Sequence, residues 1–100
     1  MFKHIVLFKL HEEAEGASKA ENAIKIKKLL EGLPAKIPMI REYEVGINII
    51  ESERAYDISL ISTFNGMEDL NGYLEHSEHK KAGEYISKLR QSSVSCDYEF

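Results

Sequence analysis

The sequence predicts an α+β fold in which strands and helices follow one another in the order β-α-β-β-α-β. Four segments show apolar residues alternating at a period of two, the pattern of half-buried strands. Two further stretches, one after the first strand and one before the last, repeat apolar residues at helical spacing. The chain has 100 residues, of which 43% are hydrophobic, and it contains no repeat or linker. We therefore predict one domain spanning residues 1–100.

The first strand is predicted from Phe2 to Leu10, a segment rich in aromatic and β-branched residues. Its centre is apolar on both faces, so we expect it to be covered on both sides. His4 is the only polar side chain on its face. The residues of that face are Phe2, His4, Val6, Phe8 and Leu10, and those of the opposite face are Lys3, Ile5, Leu7 and Lys9.

The first helix is predicted from about Ala14 to Glu31, where the apolar period becomes helical. Gly32 follows the last periodic residue and Pro34 comes two positions later, which is typical of a helix end. The apolar stripe of this helix is predicted to contain Ala20, Ala23, Ile24, Ile26, Leu29 and Leu30.

A hairpin is predicted next, with strands at Arg41–Ile50 and Tyr56–Phe64 joined by a polar turn. Gly46 inside the first of these strands indicates a bulge or a close approach of the backbone. The same strand is predicted to present Tyr43, Val45, Ile47 and Ile49 on one face.

The second helical region is predicted in two pieces, Met67–Glu75 and about His79–Gln91, separated by a His-Ser-Glu-His break. The last strand is predicted to follow at residues 93–100. Its apolar face consists of Val94, Cys96, Tyr98 and Phe100.

This order of elements is the ferredoxin-like pattern, a four-stranded antiparallel sheet with both helices on one face. The chain has no spare segment to cover the other face of the sheet. A second copy of the chain is the economical cover, so we predict a homodimer formed through the open sheet face.

Composition excludes several classes of partner. Lys and Arg number 13 against 17 Asp and Glu, a net charge of -4, whereas nucleic acids and anionic membranes require a concentrated basic surface. No apolar run approaches the roughly 20 residues that cross a bilayer, and the start of the chain does not read as a signal peptide. A single cysteine, Cys96, excludes a disulfide framework and a four-cysteine zinc site. We expect a cytoplasmic protein.

The richest cluster of chemical groups is the segment from Tyr73 to His79. If one helix continued through it, His76 and His79 would share a face at i, i+3, a spacing that can chelate a metal ion. The surrounding sequence supplies no clear third ligand, so no metal is predicted. There is also no phosphate-binding loop, and no cofactor is predicted.

General acid–base chemistry fits these residues better than metal binding. Histidine exchanges protons near neutral pH, and a tyrosine hydroxyl can donate a hydrogen bond to a carbonyl or a developing enolate. Tyr73 and a histidine at the helix break could perform both tasks over an apolar cavity, with His4 orienting the same ligand. The structural alternative stays open: His4 is a hydrogen-bonded core histidine, and Tyr73 is a core aromatic.

Several segments resemble the stress-responsive A/B barrel family, often called Dabb proteins. The segment from Tyr73 to His79 is similar to the family's Tyr-x-x-His-Pro-x-His signature, with Ser77 in place of the proline. The other segments that carry the resemblance are Met1–Leu10, Ile37–Pro38, Tyr43–Asn48, Tyr56–Leu60 with Phe64, and Asp97–Tyr98.

The resemblance implies a ferredoxin-like subunit and a homodimer whose two sheets form a dimeric α/β barrel, with the C-terminal strand also reaching the partner. The family includes stress-induced proteins of unknown activity and a plant polyketide cyclase that performs an aldol condensation. Similarity to that cyclase implies His79 as general base, Tyr73 as pocket tyrosine, and His4 and His76 as ligand-binding histidines. Two functions remain open: binding of a small apolar or aromatic molecule, in a stress-related role, and a cofactor-independent cyclase or lyase that uses His79 as base and Tyr73 as hydrogen-bond donor.

Overall fold

The computed structural model describes residues 1–100 and contains the predicted elements in the predicted order, with one additional short hairpin. None of its helices is long and apolar enough to cross a membrane. The elements are β1 (Phe2–Leu10), β2 (Glu13–Ala14), β3 (Ala17–Ser18), α1 (Lys19–Glu31), β4 (Glu42–Ile47), β5 (Ile58–Phe64), α2 (Met67–Glu75), α3 (Ser77–Ser87) and β6 (Arg90–Glu99).

The four long strands form one antiparallel sheet in the order β4-β5-β1-β6, which confirms the ferredoxin-like prediction. β1 is central because it pairs with β5 along one edge and with β6 along the other. Its inward face packs against the helices, as predicted. The core between sheet and helices includes Leu10, Ile26, Ile58, Phe64 and Ile86, all at most 3% exposed.

Helix α1 begins at Lys19 rather than at Ala14, because residues 13–18 form the β2–β3 hairpin instead of helix. Glu15 and Gly16 turn this hairpin with positive φ values of 51° and 77°. Ser18 then starts the helix with a capping box. Its hydroxyl accepts from the Glu21 N–H at 3.2 Å, and the Glu21 carboxylate accepts from the Ser18 N–H at 3.1 Å.

The buried face of α1 also differs from the prediction. Asn22 is only 2% exposed, and its amide donates to the carbonyls of Ala14 and Ala17, tying the helix to the preceding hairpin. Ile24, predicted to be in the stripe, is 52% exposed. The buried residues of α1 are Asn22, Ala23, Ile26 and Leu30.

Other predictions are corrected too, and β5 and β6 begin at Ile58 and Arg90 rather than at Tyr56 and residue 93. β4 ends at Ile47, so Ile49 lies outside the strand in the following loop and is almost fully exposed. Gly46 pairs with Ser59 in an unbroken register, and therefore forms no bulge. The helix break is a single residue, His76, because α3 already begins at the next position and ends at Ser87.

The second face of the sheet carries an apolar surface that no helix of the chain covers, as the sequence predicts. We call this the outer face. Register places Ile5 beside Cys96 and Leu7 beside Val94 on it. Val94 remains 45% exposed. The other apolar residues of the outer face are Ile61 and Tyr98.

Replacing Ser18 by alanine tests the capping box. The Ser18→Ala variant loses the hydroxyl that satisfies the Glu21 N–H, and loss of an N-cap costs about 0.5–2 kcal/mol. We expect the free energy of unfolding, measured by urea denaturation, to fall by about 1 kcal/mol. A matched Ser52→Ala variant, changed in an exposed loop, should unfold like the parent. Equal stability of the two variants would contradict a role for the cap.

Candidate functional site

A cavity of about 300 Å³ lies between the inward face of the sheet and the α2–α3 region. Its walls are largely apolar. Val6, Phe8 and Leu60 line it from the sheet, and Ala82 and Ile86 line it from α3. Most of this lining consists of side chains that the sequence pattern already assigns to the inward faces of β1, β5 and the second helical region.

Three of the four predicted site residues line this cavity together: His4, Tyr73 and His79. The ring centroids of Tyr73 and His79 are 4.5 Å apart, and those of His4 and Tyr73 are 6.3 Å apart. His4 reaches the cavity from β1, Tyr73 from the last turn of α2, and His79 from the first turn of α3. Tyr73 therefore stands between the two imidazoles.

His76, the fourth predicted residue, does not line the cavity. Its backbone is extended, with φ -64° and ψ 137°, and its Nδ1 accepts a hydrogen bond from the Glu78 N–H at 3.1 Å. It serves as the N-cap of α3. Because the helix breaks at His76, His76 and His79 do not share a face of one continuous helix, and the i, i+3 geometry predicted for that case does not arise. No group of three His, Cys, Asp or Glu side chains is arranged to hold a metal ion.

His79 is held in its neutral form. Burial lowers its pKa below the ordinary value of 6.5, the nearby Leu74 carbonyl opposes this shift, and the positive charges that His4 and His76 can carry reinforce it. The Nδ1 atom of His79 is buried and has no hydrogen-bond partner within the chain. Because Nδ1 has no accessible surface, a ligand in the cavity can reach only the other ring nitrogen, Nε2. A neutral imidazole with its proton on Nδ1 can accept a hydrogen bond or a proton at Nε2.

Tyr73 and Tyr43 form a hydroxyl pair that sequence reasoning did not identify. Their oxygens are 2.8 Å apart, and burial raises the pKa of both phenols, so both stay protonated at neutral pH. Either hydroxyl can be the donor, and when Tyr43 donates, the Tyr73 proton is available to a ligand. The only sequence signal for this pair was the inward position of Tyr43 in its strand.

Asp97 is the other residue that sequence reasoning did not assign to the site. His4 Nδ1 donates a hydrogen bond to the Asp97 carboxylate, and the two residues are direct cross-strand neighbours in β1 and β6. The bond fixes the imidazole and leaves Nε2 as its free nitrogen. His4 is therefore both a hydrogen-bonded core histidine and a lining residue of the cavity. Finding Asp97 from the sequence would have required knowing the register in which β1 and β6 pair, because Asp97 lies 93 positions after His4.

Comparison with known proteins places this architecture in a family. The model of the stress responsive A/B barrel domain matches residues 2–100. An uncharacterised protein of Streptomyces coelicolor is 32% identical over 101 residues, covering 100% of both chains.

Solved structures share this fold. A dimeric protein of unknown function with a ferredoxin-like fold, from Bacteroides fragilis, superposes with a TM-score of 0.86 at 38% identity, covering 99% of this chain and 95% of that one. A hydroxynitrile lyase from Passiflora edulis shares the fold, with a TM-score of 0.80 at 15% identity over 97% of this chain and 90% of that one. The match over nearly the whole chain shows that this protein belongs to the stress-responsive A/B barrel family.

Proposed function

We propose that this protein is a cytoplasmic, dimeric α/β barrel that binds a small apolar or aromatic molecule in the cavity between the sheet and the α2–α3 region, in a stress-related role. The observation that carries the proposal is the convergence of His4, Tyr73 and His79 on one mostly apolar cavity. Ligand sites commonly combine apolar walls with a few oriented polar groups in this way.

The polar groups suit a ligand that carries a carbonyl or hydroxyl oxygen. The Tyr73 hydroxyl can donate to such an oxygen when it accepts from Tyr43. The neutral imidazole of His79 can offer Nε2 as an acceptor, and His4 offers its Nε2 while Asp97 holds its other nitrogen. The apolar walls then supply most of the binding free energy, at about 25 cal/mol per Å² of apolar surface buried.

Titration with naphthalene-2-carboxamide, followed by NMR, tests the binding proposal. We expect saturable shifts at the residues that line the cavity. A Gly83→Leu variant should weaken this binding at least about tenfold, because Gly83 lines the cavity and a side chain there enters open space. Leucine also favours helix over glycine by up to about 1 kcal/mol, so the variant should stay folded.

A Glu84→Leu variant is the control for this titration. It adds the same side chain at the next position of α3, where the residue is exposed and does not line the cavity, so it should bind like the parent protein. Unsaturable shifts, or equal affinity in the Gly83→Leu variant and the parent, would contradict a ligand in this cavity.

The dimeric part of the proposal rests on the outer face. A domain of 100 residues buries only about 60–70% of its unfolded surface, and here one whole sheet face adds Val94, Tyr98 and Ile61 to the exposed apolar surface. A second copy that presents the same face would cover it in a two-fold arrangement. The Bacteroides fragilis structure, 38% identical, is described as dimeric.

A charge placed on the outer face tests the dimer. We expect a Val94→Asp variant to become monomeric, since an unpaired carboxylate buried in an interface costs several kcal/mol. Sedimentation at micromolar concentration measures the change. Ile24→Asp is the control: Ile24 is 52% exposed, similar to the 45% of Val94, but it lies on α1, away from the outer face. A monomeric parent, or a dimeric Val94→Asp variant, would refute the outer-face dimer.

A second candidate, general acid–base catalysis, is favoured by the state of His79. This residue has a lowered pKa, lines the cavity and lies 4.5 Å, ring to ring, from Tyr73. With a bound ketone, Tyr73 would donate to the carbonyl oxygen while His79 removes a proton from the adjacent carbon, leaving an enolate stabilised by the phenol. Cyclases and lyases both use such steps. The Passiflora edulis protein is a lyase with this fold.

Exchange of the carbon-bound protons of phenylacetone for deuterium, measured by NMR in D₂O, tests this step without knowledge of the natural substrate. General-base assistance contributes about 10²–10⁴-fold, so His79→Ala and the bulkier His79→Gln should both lose that factor. Because burial lowers the pKa of His79 below 6.5, the midpoint at which the parent's rate falls with decreasing pH should lie below pH 6.5. A His11→Ala control, changed at an exposed residue, should retain the parent's rate. Unchanged exchange in the His79→Gln variant would exclude this base.

A further inference from the structure

We infer that the ligand of this cavity carries a carboxylate and that Arg90 binds it at the cavity's entrance. The inference rests on the proposed binding function and goes beyond it by naming the chemical class of the ligand. The acid–base residues and the apolar walls do not select for a negatively charged ligand. Arg90 does, because of where it lies and what surrounds it.

Arg90 begins β6 and lines the cavity together with Ser93 and Ser95 of the same strand. The strand register shifts next to Arg90, between Lys9 and Leu10 of β1. Ser93 and Ser95 are exposed and Arg90 is half-buried. Across the cavity, the exposed Gly83 contributes no side chain. These four residues form the entrance, with the imidazoles and Tyr73 further inside.

The charge of Arg90 is not neutralised by the chain. It takes part in none of the six ion pairs and in no side-chain hydrogen bond. This is unexpected in a protein with 17 acidic residues and a net charge of -4. Arg90 is also the one Lys, Arg, Asp or Glu among the 14 residues that line the cavity. The cavity therefore favours an anion although the protein as a whole repels one.

A carboxylate fits this entrance better than a phosphate. The guanidinium group is a planar fork that binds a carboxylate through two parallel hydrogen bonds. A phosphate monoester carries up to two negative charges near neutral pH, and no second Lys or Arg lines the cavity to balance the additional charge. The hydroxyls of Ser93 and Ser95, which make no side-chain hydrogen bond within the chain, add neutral donors on the same strand.

Cavity size and the order of groups along it define the rest of the ligand. A volume of about 300 Å³ is at the lower end of the range for small-molecule sites, which suits a ligand of one or two rings or a short aliphatic chain. With its carboxylate on Arg90, the apolar body would lie along Val6, Phe8 and Ile86. Its far end would then meet His79 and Tyr73. The structure thus favours a small aromatic or aliphatic carboxylic acid.

Comparison of naphthalene-2-carboxylate with naphthalene-2-carboxamide tests the inference, because the two probes have nearly the same shape and differ in charge. Hydrogen bonds to charged groups contribute enough for a difference of about 10- to 100-fold in Kd. We expect the parent protein to bind the carboxylate more tightly by that factor. Arg90→Gln should abolish the difference, chiefly by raising the Kd of the carboxylate. Lys88→Gln, which removes an exposed positive charge two residues away, should preserve it.

The outcomes separate this inference from the proposed function. If both probes bind with equal Kd in the parent, the cavity binds ligands and the carboxylate inference is wrong. If the carboxylate is preferred equally in the Arg90→Gln variant, another group recognises it and the assignment to Arg90 is overturned. If neither probe binds, the proposed function and the inference fail together. Tighter binding of 1-naphthyl phosphate than of the carboxylate would overturn the choice of anion.

Discussion

The buried hydroxyl of Tyr73 is the constraint around which the site is organised. The ring is 1% exposed and packs on Phe64 at 5.1 Å between centroids, and a phenol buried at such depth costs about 1–3 kcal/mol if its hydroxyl is unpaired. Tyr43, on the edge strand β4, removes that cost by forming a hydrogen bond with the Tyr73 hydroxyl. Tyr73 lies in the last turn of α2, so these contacts hold the end of that helix against the sheet, and the break at His76 then places His79 in the first turn of α3.

The period-two alternation of β1 divides the molecule into two functional surfaces. His4 faces the helices and the cavity, whereas its neighbour Ile5 faces outward with Cys96 of β6. A register slip of one residue would exchange these roles and place the imidazole on the outer face. Pairing on both edges prevents such a slip, and the cross-strand bond from His4 to Asp97 adds a polar contact specific to this register. The cavity and the apolar outer face therefore depend on the same strand.

Sequence patterns predicted the fold well because amphipathic periodicity records which face of each element is buried. They failed where a local polar interaction overrode periodicity. Ser18 and Asn22 satisfy the backbone groups of the β2–β3 hairpin and of the first turn of α1, and this moves the helix start by five residues from Ala14. In the site, Tyr73, His79 and His4 could be found from the sequence, but Asp97 could not, since its role depends on strand register and not on any local spacing.

Electrostatics connects the inner and outer ends of the cavity. His79 is neutral because burial penalises its charged form, and a carboxylate bound nearby would reverse that effect by favouring the imidazolium. An anion paired with Arg90 at the entrance has its charge largely compensated before it reaches the buried part of the site. The arrangement thus allows a charged ligand to bind while the imidazole keeps its unprotonated nitrogen. Binding of an anion beside a neutral His79 therefore needs both features: Arg90 to compensate the charge of the ligand, and burial to lower the pKa of His79.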